Sequence, residues 1–268
     1  MLHNQPHKFS TAAMFAALLF VGAAAMQAQW LNYPTPGIPR TAAGKANLAA
    51  PAPKMPDGKP DLSGIWTTDF LFFRDLATGL KPEDVPMLPW AKELSHERET
   101  NDHVGDPMAN CMPPGVPRID TSNEGAATHP FKIVQTPGLV VLLYETSSYS
   151  TYRQVFLDGR PLPKDPQPTW LGYSVGHWDG NTLVVETTGF NGREWLDTFK
   201  GHPQTDAGRV IERFTRRDFG HMELEVTIDD PKAYSKAWTV KIAAVLLPDT
   251  DLIETVCEND KYTEHAVK

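Results

Sequence analysis

The chain has 268 residues, with 25 Lys and Arg against 33 Asp and Glu, for a formal net charge of −8. That balance argues against nucleic acid and against an anionic membrane surface as partners, because both are bound through clustered cations. Only two cysteines, Cys111 and Cys257, are present, too few for a zinc knuckle of paired thiols.

The N-terminal segment carries Lys8, an apolar run over residues 12–26, and small residues at Ala23, Ala25 and Ala28. This is the layout of a signal peptide. The run falls short of the roughly 20 apolar residues a membrane span takes, and no later stretch approaches that length. Residues 1–28 are therefore expected to be removed on export to the periplasm or the extracellular space, leaving no membrane span. Lys8 is the only formal charge in that segment, so the mature chain carries −9. In an oxidising compartment two cysteines pair most economically with each other, and a Cys111–Cys257 disulfide is expected.

Residues 29–60 read as an extended leader, dense in Pro, Ala and Gly, with too little apolar surface to fold alone. A single domain is expected over residues 61–268. It opens at Asp61-Leu62-Ser63-Gly64-Ile65-Trp66-Thr67, where a turn gives way to a strand. One helix is expected within residues 81–101, with Pro89 in its first turn and charged residues around Trp90 and Leu94. Residues 105–125 hold Cys111-Met112-Pro113-Pro114-Gly115-Val116-Pro117-Arg118, whose prolines oppose regular structure.

From His129 onward nearly everything reads as strand and turn. Segments 131–135 and 139–145 flank Thr136-Pro137-Gly138, and residues 150–157 run into Asp158-Gly159-Arg160. Residues 168–191 form a hairpin around Asp179-Gly180-Asn181, which supplies the turn chemistry a tight reversal needs. Segments 209–217 and 221–229 follow, then 238–247 and 252–257. Roughly nine or ten strands in sequence with no intervening helix give an antiparallel meander. Alternation is cleanest in Met222-Glu223-Leu224-Glu225-Val226-Thr227-Ile228-Asp229, apolar on one face and polar on the other. The expected fold is all-β, a closed or nearly closed β-barrel that removes its own edges and leaves room for a small ligand. A two-sheet sandwich is the alternative.

DLSGIW, residues 111–118, TWLGYSVGHWDGNTLVVETTGFN and TIDDPKAYSKAWTV together resemble a large family of exported, mostly uncharacterised proteins common in soil bacteria. The resemblance covers most of residues 61–260 and implies export and a single domain. Gly64-Ile65-Trp66 is similar to the Gly-x-Trp opening of lipocalins, which implies an up-and-down barrel with a ligand cup. In the family, the segment after Trp-Leu-Asp reads as two histidines flanking a proline, with an acid soon after. Here it is His202-Pro203-Gln204-Thr205-Asp206, so no metal is expected.

Three groups of residues could carry chemistry. In the hairpin, a two-residue Asp179-Gly180 loop would set Tyr173, Val175 and His177 beside Glu186, Val184 and Thr182, putting His177 and Glu186 on one wall as acid and base. A Gly180-Asn181 loop would change that register. Downstream, residues 189–202 form a long polar loop of the kind that carries binding residues at a barrel mouth. Its Asn191, Trp195, Asp197 and His202 combine an amide, an indole, a carboxylate and an imidazole, and Asp197 with His202 could move a proton. Thirdly, Arg153 shares a strand face with Tyr149 and Val155, where a guanidinium needs a carboxylate or an anionic ligand; Glu145 and Glu186 are the candidate partners. Trp170 and Tyr173 complete the expected ligand-binding set.

Nucleophile elbows, His-Glu-x-x-His, phosphate-cradling loops and dinucleotide fingerprints are absent from the sequence. No cofactor is expected. The functional expectation is an exported barrel that binds a small organic molecule and transforms it by acid-base chemistry as a lyase, isomerase or hydrolase. The alternative is a non-catalytic periplasmic binding or interaction protein.

Overall fold

In a computed structural model, which describes residues 33–121, 129–146 and 152–253, nine strands close into a barrel in sequence order. They are β1 (Gly64–Thr68), β2 (Phe131–Gln135), β3 (Leu139–Tyr144), β4 (Tyr152–Phe156), β5 (Tyr173–Asp179), β6 (Thr182–Thr188), β7 (Arg209–Arg216), β8 (His221–Asp229) and β9 (Trp238–Leu246). Closure is made by β1, whose Trp66 pairs with Phe131 on one side and Leu246 on the other.

Eight contacts around the ring are antiparallel and one, β4 with β5, is parallel. Strand direction reverses at each antiparallel contact, so a closed ring needs an even number of them. Nine strands therefore require a parallel pair, and the expected pure antiparallel meander is corrected at that seam. The cause is the proline-rich segment 157–172, which holds no strand. Instead of turning tightly, it carries the chain back along the barrel to the end where β4 began.

Alternation decides which side chains enter the barrel. On β8 and β9 every second residue is buried, setting Met222, Leu224, Val226, Ile228, Trp238, Val240, Ile242, Ala244 and Leu246 into one core. The seven Met, Leu, Val and Ile side chains among them contribute roughly 1.5–3 kcal/mol each as apolar surface leaves water.

The ends of the barrel differ. At one end Arg216 is buried with its guanidinium 4.9 Å from the Trp66 ring, and carbonyls of Asp61, Asp218 and Phe219 accept its N–H groups. The leader lies across this end: Phe219 N donates to Ala50 O and Gly220 N to Leu48 O, both at 2.7 Å. Residues 33–60, read from sequence as an extended leader, thus carry two short bridges, Arg40 with Ala46 and Lys54 with Pro60.

The other end holds the long connections. Helix α1 (Phe70–Arg74) and helix α2 (Pro89–Thr100) lie between β1 and β2, the latter starting at Pro89. Two 3₁₀ turns, Pro107–Asn110 and Arg118–Thr121, follow, the second wholly buried. Cys111 is buried here; Cys257 lies outside the described residues, as does the expected signal peptide. Of the expected strand at residues 252–257, residues 252 and 253 are not in a strand and the remainder is outside the described residues. No helix among the described residues is long and apolar enough to cross a membrane.

Candidate functional site

The parallel seam is short. Only Val155 with Ser174 and Phe156 with Val175 pair across it, so the sheet is open toward the start of β4. Beside this opening lies a pocket of about 1110 Å³, large enough for a drug-sized molecule. Its wall comes from three segments: β4, the stretch running from the crossover into β5, and the start of the β6–β7 loop. The last two are tied together, because Thr169 N donates to Gly189 O (3.0 Å) and Asn191 N donates to Thr169 O (3.1 Å). Gly172 permits the close approach. Its φ is +62°, and a Cβ there would stand 2.6 Å from Thr188 O, so only glycine fits.

Four of the five residues expected to bind ligand line this pocket: Arg153, Trp170, Tyr173 and Asn191. Trp195 is elsewhere. It is buried under helix α2, with the Arg98 guanidinium 4.2 Å from its ring, and burial lowers the Arg98 pKa to about 10.

Behind the pocket, Arg153 points into the barrel and is almost fully buried. Its Nε donates to Ser174 Oγ (3.0 Å), Nη1 to Asp120 Oδ2 (3.2 Å) and Glu212 Oε1 (3.1 Å), and Nη2 to Thr187 Oγ1 (2.8 Å) and Glu212 Oε2. Tyr144 OH donates to Asp120 Oδ1 at 2.7 Å. Every N–H of the guanidinium is used. Two carboxylates thus face one cation in the buried interior. Burial, then the neighbouring Glu212 charge, pushes Asp120 well above the ordinary carboxylate range. Arg153 is therefore a strut joining β4, β5, β6, β7 and a 3₁₀ turn. Its expected partners are corrected: Glu145 accepts from Ile253 N, and Glu186 pairs with Arg209 outside the barrel at 2.7 Å.

The hairpin loop is Gly180-Asn181, since Asp179 pairs with Thr182 and His177 with Val184. Gly180, with φ +61°, supplies the left-handed position. The register differs by two residues from the Asp179-Gly180 alternative, which preserves face parity, so His177 and Glu186 do share a face. That face is the outside. His177 is exposed and Glu186 half-buried, and the Arg209 hydrogen bond holds Glu186 below its ordinary pKa.

Asp197 and His202 are brought together in the β6–β7 loop. His202 Nδ1 lies 2.5 Å from Asp197 Oδ2, and Asp197 also accepts from Leu76 N (3.0 Å) and His202 N (3.2 Å). Burial alone would raise Asp197, but the His202 charge and hydrogen bond hold it below the ordinary range. For His202, burial is outweighed by Asp197, and its pKa is raised. Asp75 joins them: one donor atom from each of the three lies within 4.8 Å of the others. Burial, and then the Asp197 charge, raises Asp75. This arrangement can orient an imidazole and can pin the segment after α1 to the loop. Neither the seam pocket nor the one beneath the leader reaches it.

Asp120, Glu212, Tyr144 and Asp75 were not singled out in the sequence. Glu212 left a signal, because it falls on the inward parity between Val210 and Phe214, where a charge must find a partner. Asp120 and Asp75 lie in irregular segments without a period to read.

No family model matches this chain, and no curated protein matches it. Among solved structures, the crystal structure of a mutant of the fluorescent protein UnaG is similar at 12% identity over 74% of this chain and 97% of that chain, with a TM-score of 0.30. The barrel rests on the strand pairing.

Proposed function

We propose that the chain is an exported β-barrel that binds a small organic molecule at the β4–β5 seam. The observation that carries this reading is the open parallel pair with its pocket of about 1110 Å³, lined by aromatic rings and hydrogen-bonding groups. The signal-peptide layout of residues 1–28 supports export, and the pairing of Cys111 with Cys257 belongs to the same reading. Native mass spectrometry of protein isolated gently from its own host tests it. A retained adduct is expected, lost when Val175→Trp fills the seam from the outer face of β5. A ligand-free spectrum from the native chain opposes the reading.

A second reading, turnover by acid-base chemistry, rests on the contact between His202 and Asp197 and requires a molecule bound beside that pair, since neither pocket reaches it. With Nδ1 held by the carboxylate, Nε2 is the atom that would exchange a proton with a bound molecule. Under that reading a molecule bound beside His202 is converted by the native chain and not by Asp197→Asn. Equal conversion by both proteins removes this second reading.

A further inference from the structure

One cation at the seam stands without a carboxylate partner among the described residues, in a chain that carries −8 overall. Among the described residues, three arginines, Arg153, Arg160 and Arg193, line the pocket and no Asp or Glu does. The three are not equivalent. Arg153 has spent every N–H on Ser174, Thr187, Asp120 and Glu212, so it offers a ligand nothing. Arg160 is paired with Asp158 at 2.6 Å and stacked 3.8 Å from the Phe156 ring. Arg193 is different. It is exposed, stands 5.1 Å from the Trp170 ring, and makes no ion pair among the described residues.

Next to Arg193, the Asn191 side chain is held by its own loop, since Oδ1 accepts from Arg193 N at 2.9 Å. That contact fixes which end of the amide faces inward along the loop and leaves Nδ2 as a donor. The rings of Tyr152 and Phe156 on β4 line the same pocket. A guanidinium is a planar, weakly hydrated donor that suits a carboxylate or sulfonate, and an indole face suits a flat conjugated body. Water competes with an exposed arginine, but a ligand that covers Trp170 also excludes water from the guanidinium beside it.

Resting on the reading of the seam as a ligand pocket, we infer that its ligand is a small organic anion with a flat, conjugated body, the acidic group set against Arg193 and the body against Trp170. Neutral flat molecules are then the weaker ligands, and inorganic anions lack the body that Trp170 takes up.

A matched pair of fluorescent probes tests this. 8-Anilinonaphthalene-1-sulfonate and N-phenyl-1-naphthylamine share one ring skeleton and differ by the sulfonate. Titrated into the full chain at 0.1 M salt, the sulfonate is expected to bind about tenfold more tightly. Arg193→Gln should remove most of that difference and leave the neutral probe unchanged, while Val175→Trp should abolish both. Equal or tighter binding of the neutral probe, with both lost in Val175→Trp, overturns the anion inference and keeps the seam. A preference for the sulfonate that survives Arg193→Gln overturns the assignment of Arg193. If neither probe binds, or if Val175→Trp changes nothing, the seam reading itself falls. Circular dichroism of each variant establishes that it is folded.

Discussion

Glu194 lies directly under the pocket loop, and its protonation should be visible in the stability of the whole chain. Its Oε1 accepts from Asn191 N at 3.2 Å, while Oε2 is buried without a hydrogen-bond partner among the described residues. Burial pushes the carboxyl up to about 7 from its ordinary 4.5. A gap of about 2.5 pH units at 1.36 kcal/mol per unit corresponds to about 3 kcal/mol. The folded state binds this proton more tightly than the unfolded chain does. The contribution is therefore fully present below about pH 4.5 and is lost as pH rises through about 7. Glu194→Gln keeps the shape and removes the titration. Urea unfolding followed by tryptophan fluorescence should show the variant gaining about 3 kcal/mol relative to the native chain between pH 4.5 and pH 8. A stability difference that is constant across that window refutes the argument, because it would mean that water reaches Glu194 in the folded protein.

Arg153→Met leaves Glu212 and Asp120 facing each other without their cation and should cost about 3–5 kcal/mol in urea unfolding; a loss under about 1 kcal/mol would show that the strut is not structural. Asp197→Asn should cost about 2–4 kcal/mol through the lost His202 pair. Because folding lowers the Asp197 pKa, its contribution is present above the ordinary aspartate range and lost as the solution is acidified below it, so the cost should shrink toward pH 3. Gly180→Ala places a side chain at φ +61° with open space around it and should cost about 1 kcal/mol. His177→Ala and Glu186→Gln, on the outer face, should leave binding of the sulfonate probe within twofold of the native value.

Much of the barrel was legible because strands alternate with period two. Met222 to Asp229 announced its inner face in the sequence, and the structure buries those apolar positions. The Pro89 helix was legible for a similar local reason, since a proline at the first turn needs no partner for its missing N–H. The parallel seam was not. Nothing in residues 157–172 says which way the chain returns, because direction is set by closure of the ring and not by local preference. The same split runs through the site. Trp170, Tyr173 and Asn191 were legible as rings and amides beside a long loop, and Arg153 as a cation on an inward face. Trp195 looked equivalent in sequence but is taken by Arg98 from helix α2, a contact between segments nearly a hundred positions apart. Asp120 reaches Arg153 across 33 positions from a turn without periodicity, and only the fold brings it there.

The claim on which the rest depends is that the open seam between β4 and β5 is where a ligand sits. A crystal structure of the chain with 8-anilinonaphthalene-1-sulfonate measures this directly. Probe density is expected against Trp170 with the sulfonate toward Arg193. Density instead in the pocket of about 790 Å³ beneath the leader, beside Tyr33, Ile38 and Phe219, with the seam empty, would contradict it.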